Sequence, residues 1–178
     1  MATSGGATGI DAIVKKDLKV WPDDKVNADT LNNWIAAEEA KRGKSPFHGQ
    51  GKALMDGAMK YGIDPRYIVA DSIGETSMGK TGSGAPYNNF WGYGVYGGKV
   101  RYKRDSPEEA FKEYPGLIDQ KYYANGQTNL YLFSNDPGGH NYNDSKSYPG
   151  YIAGFYKNAP GGLSDEGTKH KGGAKYTG

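Results

Sequence analysis

Apolar residues in this chain recur at helical spacing along most of its length and alternate in one short stretch only, residues 91–102. Such a pattern describes helices, one small hairpin, then helices again. The helical segments are punctuated by glycine, which supplies 28 of the 178 residues. A first helix is expected over 28–41, with Leu31, Trp34 and Ile35 on one face, ended by Arg42-Gly43-Lys44-Ser45-Pro46. A second spans 51–61, with Leu54, Met55, Ala58 and Met59 as its stripe and Gly62 as its stop. Asp64-Pro65 reads as an N-cap followed by a proline in the first turn. The helix that follows turns Tyr67, Ile68, Val69, Ala70 and Ile73 inward and runs out at Gly74-Glu75-Thr76-Ser77-Met78-Gly79.

In the alternating stretch, Trp91, Tyr93 and Val95 share one face and Val100 and Tyr102 lie on the return strand. Gly97-Gly98 between them is a two-residue hairpin turn. Ser106-Pro107-Glu108-Glu109 then carries the signature of a capping box, Ser106 at the N-cap and Glu109 three residues on. Tyr148, Tyr151, Ile152, Phe155 and Tyr156 mark a last helix, stopped by Ala159-Pro160-Gly161-Gly162. Residues 1–26 read as an N-terminal extension with a short packed segment from Ile13 to Trp21. Residues 27–160 form the domain, and 161–178, polar and rich in Gly and Lys, form a tail or linker. The fold class is α+β: a mainly helical lobe, a minor β-lobe, and a cleft between them.

Composition narrows the function. A net charge of +2 gives no global field for nucleic acid. No apolar run approaches the roughly 20 residues that span a bilayer. The first residues lack the basic start and apolar run of a secretory leader, so an extracellular target implies another route of delivery or a parent polypeptide. Cysteine is absent, which removes disulfides and thiolate metal sites. His48, His140 and His170 are scattered without metal-ligand spacing, and the glycines of 92–98 neither precede a helix nor end in Gly-Lys-Ser/Thr. No metal or cofactor is therefore expected. Tyr, at 15 residues against 5 Phe and 3 Trp, suits half-wet core positions and also clefts that bind sugars or bases.

One carboxylate stands out. Glu75 ends a mostly apolar helix and precedes an aromatic-rich strand. A carboxyl held in a partly apolar wall keeps its proton near neutral pH and can donate it to a leaving oxygen. The helix dipole is unfavourable to an anion at that end. The competing reading is an ordinary surface glutamate at a helix terminus.

Several segments together resemble the β-N-acetylglucosaminidase family of peptidoglycan hydrolases, which includes autolysins, flagellar hydrolases and phage lysins. They are Ser45-Pro46-Phe47; Tyr61-Gly62-Ile63-Asp64-Pro65-Arg66-Tyr67-Ile68-Val69-Ala70; Gly74-Glu75-Thr76-Ser77-Met78-Gly79-Lys80-Thr81; Tyr87-Asn88-Asn89-Phe90-Trp91-Gly92-Tyr93-Gly94; and Tyr102-Lys103-Arg104-Asp105-Ser106-Pro107-Glu108-Glu109-Ala110-Phe111. The resemblance spans roughly residues 28–158 and implies a lysozyme-like fold acting on peptidoglycan glycan strands, with Glu75 as proton donor. It also implies that Asn88, Asn89, Phe90, Trp91 and Tyr93 line sugar subsites, with Phe90 or Trp91 equally suited to the core. Gly138-Gly139-His140-Asn141-Tyr142-Asn143-Asp144 is similar to a late block of the family, and makes Tyr142 a candidate to hold an acetamido group or steady developing charge.

The sequence departs from that family in three places. Gly74 stands where Leu or a similar residue is commoner, Met78 replaces a frequent Trp or Asn, and no Asp or Glu occurs between Glu75 and Asp105. Retaining and inverting glycosidases need a second carboxyl, about 5 Å or roughly 6.5–9.5 Å from the first. Asp105 can supply it if the hairpin folds over the cleft. Glu109 is a further candidate, although it also completes the capping box. The remaining option is substrate assistance, in which the sugar's own acetamido oxygen attacks. Alternatives to a glucosaminidase are a muramidase or lytic transglycosylase, or an inactive wall-binding or virion module. The expected setting is the extracellular cell wall, or a phage virion or lysis protein, as part of a larger tail or wall-associated chain.

Overall fold

The computed structural model describes residues 7–19 and 25–161. Seven helices are described there: α1 (Ala7–Val14), α2 (Ala28–Arg42), α3 (Gly51–Tyr61), α4 (Pro65–Thr76), α5 (Pro107–Lys121), α6 (Leu130–Ser134) and α7 (Tyr148–Tyr156). A two-stranded sheet, β1 (Val95–Tyr96) and β2 (Lys99–Val100), lies between α4 and α5 in sequence. This is the mainly helical α+β arrangement expected from the hydrophobic pattern.

Local chemistry explains the helix limits. Asn27 caps α2 by accepting from the Thr30 N–H, while the Thr30 hydroxyl accepts from the Asn27 N–H, a reciprocal cap that satisfies two otherwise free donors. Gly62, at φ 70°, closes α3 in the left-handed region. Asp64 caps α4 through the Arg66 N–H at 2.9 Å. The same carboxylate takes the buried Arg66 guanidinium and the Tyr156 hydroxyl, so the start of α4 is bolted to the end of α7. At α5 the Ser106 hydroxyl accepts from the Glu109 N–H, as expected of a capping box. The reciprocal arm differs: the Glu109 carboxylate takes the N–H of Asp105 at 2.8 Å, one residue earlier than the box requires.

Helix α4 is the central element. Every residue from Pro65 to Ile73 is buried, because α3 lies on one side and α7 on the other. Gly74 explains itself here. A Cβ at that position would stand 2.6 Å from the Ile152 Cδ1 and 3.1 Å from the Tyr151 ring, so the larger residue common in the resembling family has no room. The core continues into an aromatic cluster: Phe47 packs on Phe111 at 4.5 Å, and Trp91 stacks on Tyr114 at 3.8 Å, with planes 3° apart. Emptying such a site by Trp→Ala costs about 3–5 kcal/mol.

The short packed segment expected from Ile13 contributes Ile13 and Leu18 to the core, and Leu18 bridges Thr128 and Asp64 through backbone hydrogen bonds. Trp21 lies outside the described residues, as do residues 162–178 of the tail. In the alternating stretch, only Val95, Tyr96, Lys99 and Val100 pair as strands. Gly92 and Gly94 take φ 66° and 65°, which turns the chain and breaks the extended run. Trp91 consequently points into the core rather than along a strand face with Tyr93. The tip keeps the expected geometry, with Gly97 and Gly98 both at positive φ.

Candidate functional site

Glu75 sits in the last turn of α4, and the backbone beyond it is held in an unusual shape. Ser77, Met78 and Gly79 all take positive φ, at 51°, 60° and 78°. For Ser and Met this is a costly conformation that surrounding contacts must impose. Thr76 imposes it: its hydroxyl donates to the Phe90 carbonyl at 2.6 Å and accepts from the Gly79 N–H at 2.8 Å. Met78 fills the core beneath with no exposure. Gly79 has no alternative, since a Cβ would lie 2.5 Å from the Phe90 ring. The result is a rigid helix end that aims Glu75 outward.

Glu75 faces a cleft of about 240 Å³. The hairpin side contributes Trp91 to Tyr96, the end of α5 contributes Tyr122, and the loop before α7 contributes Asn141, Tyr142 and Asn143. Among the described residues no other carboxylate lines this cleft. Glu75 is open to solvent at its mouth, yet its carboxyl is partly desolvated, which pushes its pKa up; a 3.5 Å contact from the Asn143 amide opposes that. Gly92 lies across from it, and a Cβ there would come within 3.9 Å of the Glu75 Oε2. A carboxyl whose pKa is raised by partial desolvation, facing a cleft rimmed with tyrosines, is suited to protonate the leaving oxygen of a bound sugar.

Behind the cleft wall is a group that sequence reasoning passed over. Asp71, one helical turn before Glu75, has no solvent exposure. Its carboxylate receives the hydroxyls of Tyr142 at 2.6 Å, Tyr148 at 2.8 Å and Tyr67 at 3.3 Å. Tyr142 is further linked to the Tyr114 hydroxyl at 2.6 Å. Burial, and next the charge of Glu75, raise the Asp71 pKa to about 7, against the pull of the three hydroxyls. Burial and the Asp71 charge also push the Tyr142 and Tyr148 hydroxyls up, so both remain donors. The signal was present in the sequence as an aspartate amid Tyr67, Ile68, Val69, Ala70 and Ile73, four residues before Glu75.

The other expected site residues divide. Tyr142, Trp91 and Tyr93 join Glu75 in lining the cleft. Asp105 does not line it; it is exposed at the start of α5 with its N–H on Glu109. Asn89 is buried, its amide clasping the backbone N–H and carbonyl of Tyr93, and Phe90 is core. Asn88 takes φ 57° and donates to the Arg104 carbonyl. None of these three lines the cleft; Asn88 and Asn89 bond backbone groups of the loop that shapes it, and Phe90 packs beneath. Tyr96, 70% exposed, and Tyr122 and Asn143 line the cleft without having been singled out. Among the described residues there is no group of three or more side chains able to hold a metal ion, and no helix is long and apolar enough to cross a membrane.

Comparison with known proteins gives no matching family model and no matching curated protein. Solved structures do match in fold. Autolysin E of S. aureus superposes with a TM-score of 0.65 at 22% identity, covering 83% of this chain and 70% of that one. Its complex with the muropeptide NAM-L-Ala-D-iGlu gives 0.60 at 23% identity, covering 83% and 73%. A catalytic mutant of the same enzyme in complex with the disaccharide NAG-NAM gives 0.59 at 21%, covering 83% and 74%. The chain thus has the lysozyme-like fold of these structures: a helical lobe, a small antiparallel hairpin, and Glu75 at the cleft between them.

Proposed function

We propose that this chain is a peptidoglycan hydrolase that cleaves the glycan strand as an endo-β-N-acetylglucosaminidase, with Glu75 as general acid. The observation that carries the reading is the Glu75 carboxyl itself: partial desolvation raises its pKa, and it opens into a tyrosine-rimmed cleft at the end of a rigid helix. The fold shared with an autolysin that binds muropeptide and NAG-NAM supports it.

The proposed reaction begins with proton transfer from Glu75 to the glycosidic oxygen as the bond to the anomeric carbon breaks. With Asp105 outside the cleft lining, the acetamido oxygen of the substrate serves as nucleophile and closes a ring on that carbon. Water then opens the ring, with the Glu75 carboxylate accepting its proton. Tyr142, whose hydroxyl is fixed by Asp71 and Tyr114, forms part of the cleft wall against which the acetamido group would lie. Tyr93, Tyr96 and Tyr122 offer ring faces to the sugars. The single carboxylate of the cleft also favours a second reading, lytic transglycosylation of the bond after N-acetylmuramic acid, in which an internal hydroxyl attacks instead. The chain would act at the bacterial cell wall, as a wall protein or a phage lysis or tail component.

The test is to digest purified walls, reduce the products and identify the new end. Reduced N-acetylglucosamine is expected. Reduced or anhydro muramic ends alone would move the protein to the muramidase or transglycosylase class.

A further inference from the structure

Asp71 and Glu75 lie four residues apart on α4, and side chains at that spacing are neighbours on one helix face. Two like charges so placed repel, and a cation beside them is the usual relief. Among the described residues neither carboxyl has a cation at ion-pair distance. Asp71 is fully buried, and its hydrogen-bond partners are three tyrosine hydroxyls. Glu75 has only the Asn143 amide. On α3, packed against α4, Lys52 is paired with Asp56 and Lys60 lies over Tyr61, so those cations are engaged elsewhere. The titratable groups facing Asp71 are Tyr67 and Glu75 of α4, Tyr142 in the loop before α7, Tyr148 on α7, and Tyr114 and Tyr122 on α5 and at its end.

The tyrosines can hold Asp71 in either form. Tyr148 reaches the Oδ1 at 2.8 Å and Tyr142 the Oδ2 at 2.6 Å. Tyr67 lies 3.3 Å from the Oδ2 and 3.2 Å from the Tyr148 hydroxyl. An ionised Asp71 accepts from these hydroxyls. A protonated Asp71 has a hydrogen of its own to donate, and places it by reversing one tyrosine bond. The choice between the forms is therefore left to burial and to the charge on Glu75, both of which favour the neutral one.

Such an effect is reciprocal, because a charge on either carboxyl discourages a charge on the other. The last proton belongs to the pair: part of the time on Glu75 with Asp71 ionised, part of the time on Asp71 with Glu75 ionised. Without Asp71, Glu75 would lose its proton alone and at lower pH. We propose that Asp71 is a positioning residue for Glu75: the two carboxyls titrate as one pair, and the sealed member extends toward neutral pH the range over which the open member holds its proton. The proposal deepens the reading of Glu75 as general acid and rests on it.

Two measurements on the full chain test it. NMR titration of the side-chain carboxyl carbons reads the pair without substrate. In Glu75→Gln the Asp71 signal should titrate about one pH unit lower than in the natural protein, because the opposing charge is gone. In Asp71→Asn the alkaline limb of kcat/KM for wall digestion should move down by about the same amount. Tyr148→Phe removes a donor to the Asp71 anion and leaves more of the shared proton on Asp71, so the limb should move the same way by less. A purely structural Asp71 would lower kcat at every pH and leave the limb in place. An Asp71 titration unchanged in Glu75→Gln, or a limb unmoved in a folded Asp71→Asn protein, would overturn the proposal and leave the Glu75 reading standing. Should Asp71→Asn fail to fold, the titration and the Tyr148→Phe profile decide. A coupled titration in a protein that digests no walls would overturn the reading of Glu75 as a glycosidase acid, and this proposal with it.

Discussion

Asp71 and Glu75 stand one turn apart on α4, the first sealed among tyrosine hydroxyls and the second at the open face of a cleft. Two carboxyls in such different surroundings take different work. Glu75 opens to the cleft. Asp71 is sealed from it and instead anchors Tyr142, a residue of the cleft wall. Their charges also interact, since Glu75 helps to raise Asp71.

Stability should therefore depend on Asp71 in a definite direction. Its pKa is about 7 in the folded chain and near the ordinary carboxylate value of about 3.9 when unfolded. Between those values the folded state binds more protons than the unfolded one, so stability declines as pH rises from 4 through 7. In Asp71→Asn that part of the decline should vanish. Melting temperatures measured from pH 4 to 8 check this. Parallel curves for the two proteins would contradict the assignment of a raised pKa to Asp71.

Tyr142 and Asp105 separate the two ways of completing the reaction. Tyr142→Phe removes one donor to Asp71 and leaves a buried carboxylate less satisfied, at a cost of about 1–3 kcal/mol. It should also lower kcat well beyond what the loss of folded protein explains. Asp105→Asn should keep most activity, since its side chain is exposed and outside the cleft lining. Glu109→Gln should cost about 1 kcal/mol of stability or less and leave turnover alone. A folded Asp105→Asn protein that binds wall fragments without turning them over would replace substrate assistance by a two-carboxylate mechanism.

Gly74 offers a packing test. Leucine, common at this position in the resembling family, usually gains helix propensity over glycine. Here the Ile152 side chain and the Tyr151 ring occupy its space, so Gly74→Leu should destabilise by about 1–3 kcal/mol. Denaturant unfolding reads it; a gain in midpoint would mean that α7 can retreat from α4 without cost.

Much of this architecture was legible in the sequence because helix ends are written locally. Gly62, Asp64-Pro65 and Ser106 each carry a cap that needs no knowledge of the rest of the chain. The Gly97-Gly98 tip was legible for the same reason. What alternation could not reveal was that Gly92 and Gly94 turn the backbone, which sends Trp91 inward and leaves Asn89 clasping Tyr93. Side-chain roles of that kind depend on tertiary partners. Asp71 was hidden similarly: its three tyrosines come from α4 itself, the loop at 142 and α7, and no local spacing brings them together. The spacing showed that the segment from Ile13 packs but not against what, because the partners of α1 and Leu18, α7 and Thr128, lie more than a hundred residues away.

The central claim is that Glu75 donates the proton that breaks the glycosidic bond, and the most direct test is the rate of wall digestion by Glu75→Gln. The amide has the same shape and no acidic proton, and Glu75 contributes only one weak contact, to Asn143, among the described residues. The melting temperature should therefore be unchanged or slightly raised. The rate should fall by about 10²–10⁴-fold, the usual worth of a positioned general acid. A folded Glu75→Gln protein that digests walls at a near-normal rate would contradict the account, and would place the proton donor elsewhere in the chain.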